Sequence, residues 1–281
     1  MLEFDIQALS GQGGRSYQED CQGHRVAGGI LCLAVSDGAG GHGGGHIASE
    51  LAVRAVLDQH AHEPAFLPET VARLIELAHR VVHSGQQKFP QYPDMRATLV
   101  IALCELATGR ILLGNVGDSR GYVLGAGGIL LRTRDHSIAQ QMIDAGMLTA
   151  DRRERPRGGN VLFASLGMEE PPEPYVYELA MPITGGESVL LCTDGFWEAL
   201  DERVVCEGVQ TGNTVASTLA VLEGQLLGSI QPGHDNYTAL LARSRQAAAS
   251  FVDADSTVIL RAPPGGDEDR QRTVILPRSR A

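Results

Sequence analysis

A chain of 281 residues, 43% of them hydrophobic, has the composition of a soluble globular protein, and no apolar run approaches the roughly 20 residues of a membrane-spanning helix. A formal net charge of −11 without a basic stripe excludes a nucleic-acid binder that works by neutralising phosphates. The start, MLEFDIQALSGQ, lacks the basic beginning and apolar core of a signal peptide, so a cytoplasmic location without membrane insertion is expected.

From the N-terminus, the first strong strand signal is ILCLAV at 30–35. A glycine-rich turn at 38–45 leads into a helical pattern over 46–60, and a second helix is predicted over 68–88. Strands follow at 97–104, 110–116, 120–124 and 128–133, where the turns ATG (107–109) and GAGG (125–128) suggest antiparallel hairpins. Next come a short helix at 137–146, strands at 175–180 and 187–192, a helix over 213–227 capped by Asn213 or Thr214, and a strand at 237–242. Sheets with helices segregated along the chain imply an α+β layered domain rather than a doubly wound one. The five cysteines have no CxxC spacing and read as buried free thiols. Composition changes near residue 245: residues 1–244 form the expected domain, and 245–281 an expected disordered tail holding two near-copies, STVILRAP and RTVILPRS.

Three apolar strands end in Asp-Gly or Asp-Ser: LAVSDGAGG with Asp37, LLGNVGDSRGY with Asp118, and VLLCTDGFWE with Asp194. Asp235 in GHDNYTALLA precedes a strand, which for an antiparallel neighbour is the same sheet edge, and RSYQED adds Glu19 and Asp20. A single Asp-Gly after a strand is usually a turn, and GDSR reads naturally as a hairpin; the coincidence of several changes the odds. Two such charges about 5 Å apart repel by roughly 3 kcal/mol at an effective dielectric near 20. Divalent cations relieve that repulsion, and hard carboxylate ligands select Mg²⁺ or Mn²⁺ over Zn²⁺. Glycine after the aspartate lets a backbone carbonyl approach an ion, as Gly38 would. Arg15 has the forked donor that suits phosphate oxygens.

In order, RSYQED, AVSDGAGGHGGGHIAS, NVGDSRGYVL, RTRDHS, LLCTDGFWE and GHDNYTALL resemble the motif series of the metal-dependent serine/threonine protein phosphatases (type 2C, or PPM) in their short bacterial form, over about residues 5–243. The resemblance implies a four-layer α-β-β-α sandwich of two mainly antiparallel sheets, with two Mn²⁺ or Mg²⁺ ions in the channel between them and room for a third. Carried over, Asp37 bridges both ions, the Gly38 carbonyl and Glu19 serve one, and Asp194 and Asp235 the other. Asp118 matches the third site, Asp20 orients the water, and Arg15 binds phosphate. The segment 134–167 resembles the approaches to the family's flap. Where eukaryotic relatives carry a histidine after Asp-Gly, this chain has Ala39, which leaves the general acid unassigned; His42 is a weaker candidate. His136 and His234 read as structural, and Trp197 as a packing anchor.

The implied activity is hydrolysis of phosphoserine and phosphothreonine in proteins by a hydroxide bridging the two ions, opposing a bacterial Ser/Thr kinase. No cysteine of CxxxxxR spacing is expected, so a phosphoenzyme is set aside. The rivals are a catalytically idle phosphoprotein-binding scaffold of the same fold and a phosphatase of small phosphate esters. In the tail, Thr257 and Thr273 are each followed by an aliphatic residue three places on, which is similar to targets of forkhead-associated domains. The plainer alternative is that TVIL packs on an edge strand. A monomer is the family-based expectation.

Overall fold

The computed structural model describes residues 1–39, 44–148 and 161–247, and the backbone alone of 256–260. Its plan is legible in β3 (Ile30–Ser36), where every residue is buried and alternate side chains serve two different cores. Leu31, Leu33 and Val35 pack into the space between two sheets, while Cys32 and Ala34 pack against helices. β6 (Leu99–Glu105) divides in the same way, with Val100 and Ala102 on the inner side and Leu99 and Ile101 on the outer.

A six-stranded sheet runs in the order β10 (Tyr175–Glu178), β7 (Ile111–Val116), β6, β3, β2 (Cys21–Ala27) and β13 (Ser256–Leu260). The facing five-stranded sheet runs β1 (Leu2–Gly11), β12 (Tyr237–Gln246), β11 (Ser188–Cys192), β8 (Arg120–Gly125) and β9 (Gly128–Arg132). All neighbours in both sheets pair antiparallel. A two-residue ladder joins β4 (Gly38–Ala39) to β5 (Arg96–Ala97).

Helices α1 (Gly45–His62) and α2 (Pro68–Lys88) cover the outside of the six-stranded sheet. On α2, Val71, Leu74, Ile75, Ala78 and Val82 form one apolar stripe, and Pro68 opens the helix where its missing N–H costs nothing. The five-stranded sheet is covered by α4 (Asp194–Trp197), α5 (Glu202–Thr211) and α6 (Val215–Ser229), which bury Phe196, Val205, Leu219 and Leu222. Thr214 caps α6 through a reciprocal pair with Ser217. Helices, sheet, sheet, helices: this is an α+β sandwich, and α3 (Ile138–Asp144) lies beside it.

The hairpins across ATG and GAGG form, as β6–β7 and β8–β9. The one that GDSR suggests does not, because β7 and β8 lie in different sheets and residues 117–119 carry the chain from one to the other. Gly117 makes that crossing with φ +92°, and a Cβ there would meet Thr98 Cγ2 at 2.6 Å. All five cysteines are free; four are buried, and Cys206 is partly exposed. No helix among the described residues is long and apolar enough to cross a membrane.

Candidate metal centre

The acidic side chains of interest come from five separate places: Glu19 and Asp20 ahead of β2, Asp37 after β3, Asp118 in the β7–β8 crossing, Asp194 after β11, and Asp235 ahead of β12. The fold brings them together. Asp37 is repelled by Asp194, Asp20, Asp118 and Asp235, Asp20 by Asp194 and Asp235, and Glu19 by Asp235.

Asp37, Glu19 and Asp20 are positioned by neutral neighbours, and Asp235 by an arginine. The Asp37 N–H donates to Thr98 Oγ1 at 3.0 Å, and the Thr98 N–H donates to the Asp37 carbonyl at 2.8 Å. Thr98 Oγ1 also meets Ser119 Oγ at 2.6 Å, so one threonine locks the Asp37 turn to the crossing that carries Asp118. Glu19 is held at both ends: its N–H donates to Asn236 Oδ1 at 2.8 Å, and its Oε1 accepts the Gly45 N–H at 3.0 Å. That second bond caps α1, whose N-cap residue Gly44 supplies no side-chain acceptor. The glycines there answer to space, since a Cβ on Gly38 would meet the Gly45 carbonyl at 2.1 Å and one on Gly45 would meet the Gly38 carbonyl at 2.5 Å.

Asp20 Oδ2 accepts from Thr193 Oγ1 at 2.9 Å, and Thr193 Oγ1 in turn accepts the Thr238 N–H at 2.9 Å. Asp235 Oδ2 accepts from Arg15 Nη2 at 2.5 Å. Below Asp118, Trp197 Nε1 donates to its carbonyl at 2.9 Å, and the indole ring lies 3.4 Å from the Arg120 guanidinium carbon. Arg120 is tied to Asp135 by two hydrogen bonds of 2.8 and 2.7 Å, both side chains being buried. His234 Nε2 meets the Gly195 carbonyl at 2.8 Å, and the buried His136 ring stacks on Tyr175 with centroids 3.9 Å apart. Position 42 and residues 149–160, the middle of the flap-like segment, lie outside the described residues.

The electrostatics follow from crowding. Burial pushes the Asp20 carboxyl up to about 7, with Asp194 and Asp235 adding to the rise and the hydrogen bonds from Thr238 and Thr193 opposing it. Asp194 also rises to about 7, by burial first and then by Glu198 and Asp235, while a hydrogen bond to Asp37 works against them. Asp37 and Asp118 stand well above the usual carboxylate range, again through burial and then through Asp194. Burial likewise raises Glu19.

Two buried oxygens, Asp20 Oδ1 and Asp194 Oδ1, have no hydrogen-bond partner among the described residues. Hard oxygens without donors, in a cluster that resists ionising alone, fit a divalent cation of the Mg²⁺ or Mn²⁺ kind. Among the described residues no three His, Cys, Asp or Glu side chains already form a closed cage. Like charges hold apart, and Arg15 draws Asp235 to itself.

The expectation that no cysteine carries CxxxxxR spacing is wrong: CELATGR, residues 104–110, carries it. Geometry removes it instead. Cys104 is buried in β6 with its thiol pushed up to about 12, and Arg110 turns to Glu178 at 2.6 Å. Sequence reasoning also misses Thr98, Thr193 and Asn236. Of these only Asn236, next to Asp235 in GHDN, has a local cue. To one side lies a cavity of about 530 Å³ lined by Arg96, His136, Phe163, Met168, Glu173 and Tyr175. It adjoins the cluster through backbone, because Arg96 pairs with Ala39 and Ala97 with Gly38.

An acidic centre at the strand ends between two helix-backed antiparallel sheets defines a class of α+β sandwich proteins whose site is built for hard cations. The profile of the Protein phosphatase 2C family matches residues 11–223, and the chain belongs to that family. The serine/threonine protein phosphatase PstP of Mycobacterium tuberculosis is 28% identical over 252 residues, covering 87% of this chain and 46% of its own length. The chain thus spans about half the length of that relative. The serine/threonine phosphatase stp of Listeria monocytogenes is 30% identical over 217 residues, covering 74% of this chain and 82% of its own. Among solved structures, the catalytic domain of PstP in complex with two manganese ions superposes with a TM-score of 0.70 at 27% identity, covering 88% of this chain and 100% of that one.

Proposed function

We propose that this chain is a metal-dependent phosphatase of phosphoserine and phosphothreonine in proteins, acting against a bacterial serine/threonine kinase. The observation that carries the reading is the convergence of Asp37, Asp194 and Asp235, from three separate strands, into one another's field. In this reading Asp37 serves both ions of a pair, Glu19 and the Gly38 carbonyl serve one, and Asp194 and Asp235 the other, with Asp118 at a third, weaker position. Manganese is favoured because PstP, a relative, is known with two manganese ions. Bound there, Mn²⁺ or Mg²⁺ supplies Lewis acidity toward the phosphoryl group and lowers the pKa of water.

The chain's own groups do the rest. Arg15 turns from Asp235 to present its fork to phosphate oxygens. Asp20, fixed through Oδ2 by Thr193, keeps Oδ1 free to orient the attacking water and hold its proton. The cavity beside Arg96 gives room for residues flanking a phosphorylated side chain, which favours a protein over a small ester as substrate.

The catalytic unit is residues 1–244, acting as a monomer. Thr257 and Thr273 are candidate phosphothreonine marks for a forkhead-associated partner; Thr257 belongs to β13, and Thr273 lies outside the described residues. Manganese-dependent turnover of a phosphothreonine peptide, compared between the native chain and Asp194→Ala, tests the whole reading. Equal activity in the two proteins ends it.

A further inference from the structure

Without β13, β2 would be the edge of the six-stranded sheet, with one row of backbone N–H and C=O groups open to any passing strand. β13 is the first TVIL copy, laid antiparallel from Ser256 opposite Val26 to Leu260 opposite Gln22. The preceding strand, β12, ends at Gln246 in the other sheet, and a stretch of nine residues, 247–255, can span at most about 30 Å.

Strand addition draws its affinity from main-chain hydrogen bonds and its selectivity from alternate side chains. An identical TVIL can therefore take the same seat. The second copy, Thr273–Leu276, repeats those four residues sixteen positions on, and Pro277 stops it just where the five-position seat ends. Its tether would be residues 247–271, and closing that longer loop disfavours it by only about fivefold. We infer that the β2 edge is a strand-acceptor site shared by the two TVIL copies of this chain, one seated and the other in reserve. The seat adjoins the acidic centre, since Glu19 and Asp20 run directly into β2 at Cys21, but the inference stands on register and repeat whatever the centre does.

Hydrogen exchange at the β2 amides that face β13, alternate ones within Cys21–Ala27, tests it in the full-length chain with Thr257–Leu260, Thr273–Leu276 or both replaced by Gly-Ser-Gly-Ser. Either single replacement should speed exchange by no more than about tenfold and the double by about 100-fold, while β6 amides stay unchanged. Adding the peptide Arg-Thr-Val-Ile-Leu-Pro to the doubly replaced chain should restore protection. The inference is overturned if replacing the first copy alone exposes β2 as fully as replacing both, if the double replacement leaves β2 protected, or if the peptide restores nothing. Should the double replacement loosen β6 as well, the first-copy replacement decides by itself.

Discussion

Arg15 and Asp235 are joined across 220 positions of sequence by one charge-assisted hydrogen bond, Nη2 donating to Oδ2 at 2.5 Å, with both side chains about half exposed. The same arginine cannot serve a phosphate and this carboxylate equally well. Arg15→Ala should therefore raise KM for a phosphothreonine peptide by about tenfold while leaving Mn²⁺ affinity unchanged or up to about fivefold tighter, since an exposed ion pair is worth ~1 kcal/mol at most. Steady-state kinetics and calorimetric titration separate the two effects, and a loss of Mn²⁺ affinity would assign Arg15 to the metal instead.

Asp194→Asn trades function against stability. It removes one charge from a cluster whose members raise one another's pKa. Turnover with Mn²⁺ should fall by at least about 100-fold, whereas the metal-free protein should melt about 2–4 °C higher for each ~1 kcal/mol of repulsion relieved. Calorimetric melting in the presence of a chelator checks the second half.

The stability of the metal-free protein should fall as pH rises from 6.5 through about 7 and level off toward 8. Asp20 and Asp194 have folded values of about 7 against an ordinary 3.8, so the folded state binds more protons than the unfolded one between those limits, and the advantage is gone above about 7. Below 6.5 the buried histidines act the other way. His24, lowered to about 4, and His60, His79 and His136, also lowered by burial, favour the folded state as pH rises. Melting curves of the native chain and Asp194→Asn across pH 5–8 isolate the carboxylates, whose slope should flatten in the variant.

Asp135→Ala leaves the Arg120 charge buried against Trp197 without its bidentate partner. A loss of about 3–5 kcal/mol is expected, and the apolar pair Arg120→Met with Asp135→Leu should recover much of it. Urea unfolding measures both. Trp197 is the sole tryptophan, so its emission reports directly on this contact and on the Asp118 carbonyl it holds.

Thr98→Val should cost about 1–3 kcal/mol, because the Asp37 N–H and Ser119 Oγ both lose their partner. Mn²⁺ affinity should drop with it if the threonine sets the Asp37 turn. A variant that is less stable but binds Mn²⁺ normally would make Thr98 a packing residue only.

Elements with concentrated apolar periodicity are legible in sequence. The α2 helix is predicted over 68–88 and observed as Pro68–Lys88, and Thr214 caps α6 as its side chain suggests. β1 makes no apolar run, yet its alternation of Leu2, Phe4 and Ile6 with Glu3, Asp5 and Gln7 is the period-two mark of a half-buried strand and is legible in the sequence. β2 escapes because its buried positions include Gln22 and His24. The carboxylates stand out as chemistry, but their supports do not. Thr98 and Thr193 gain partners only through strand pairing, and the step of residues 117–119 between sheets is a tertiary fact that GDSR cannot announce.

The Gly45 N–H that Glu19 accepts begins the 18-residue helix α1, so this carboxylate is also an anionic anchor for that helix. Any cation that draws electron density from Glu19 weakens the grip on α1 and shifts its fraying equilibrium. A label in the first turn of α1, rather than far along it, is where such a change would be read, because the influence of a terminal charge fades within about one turn.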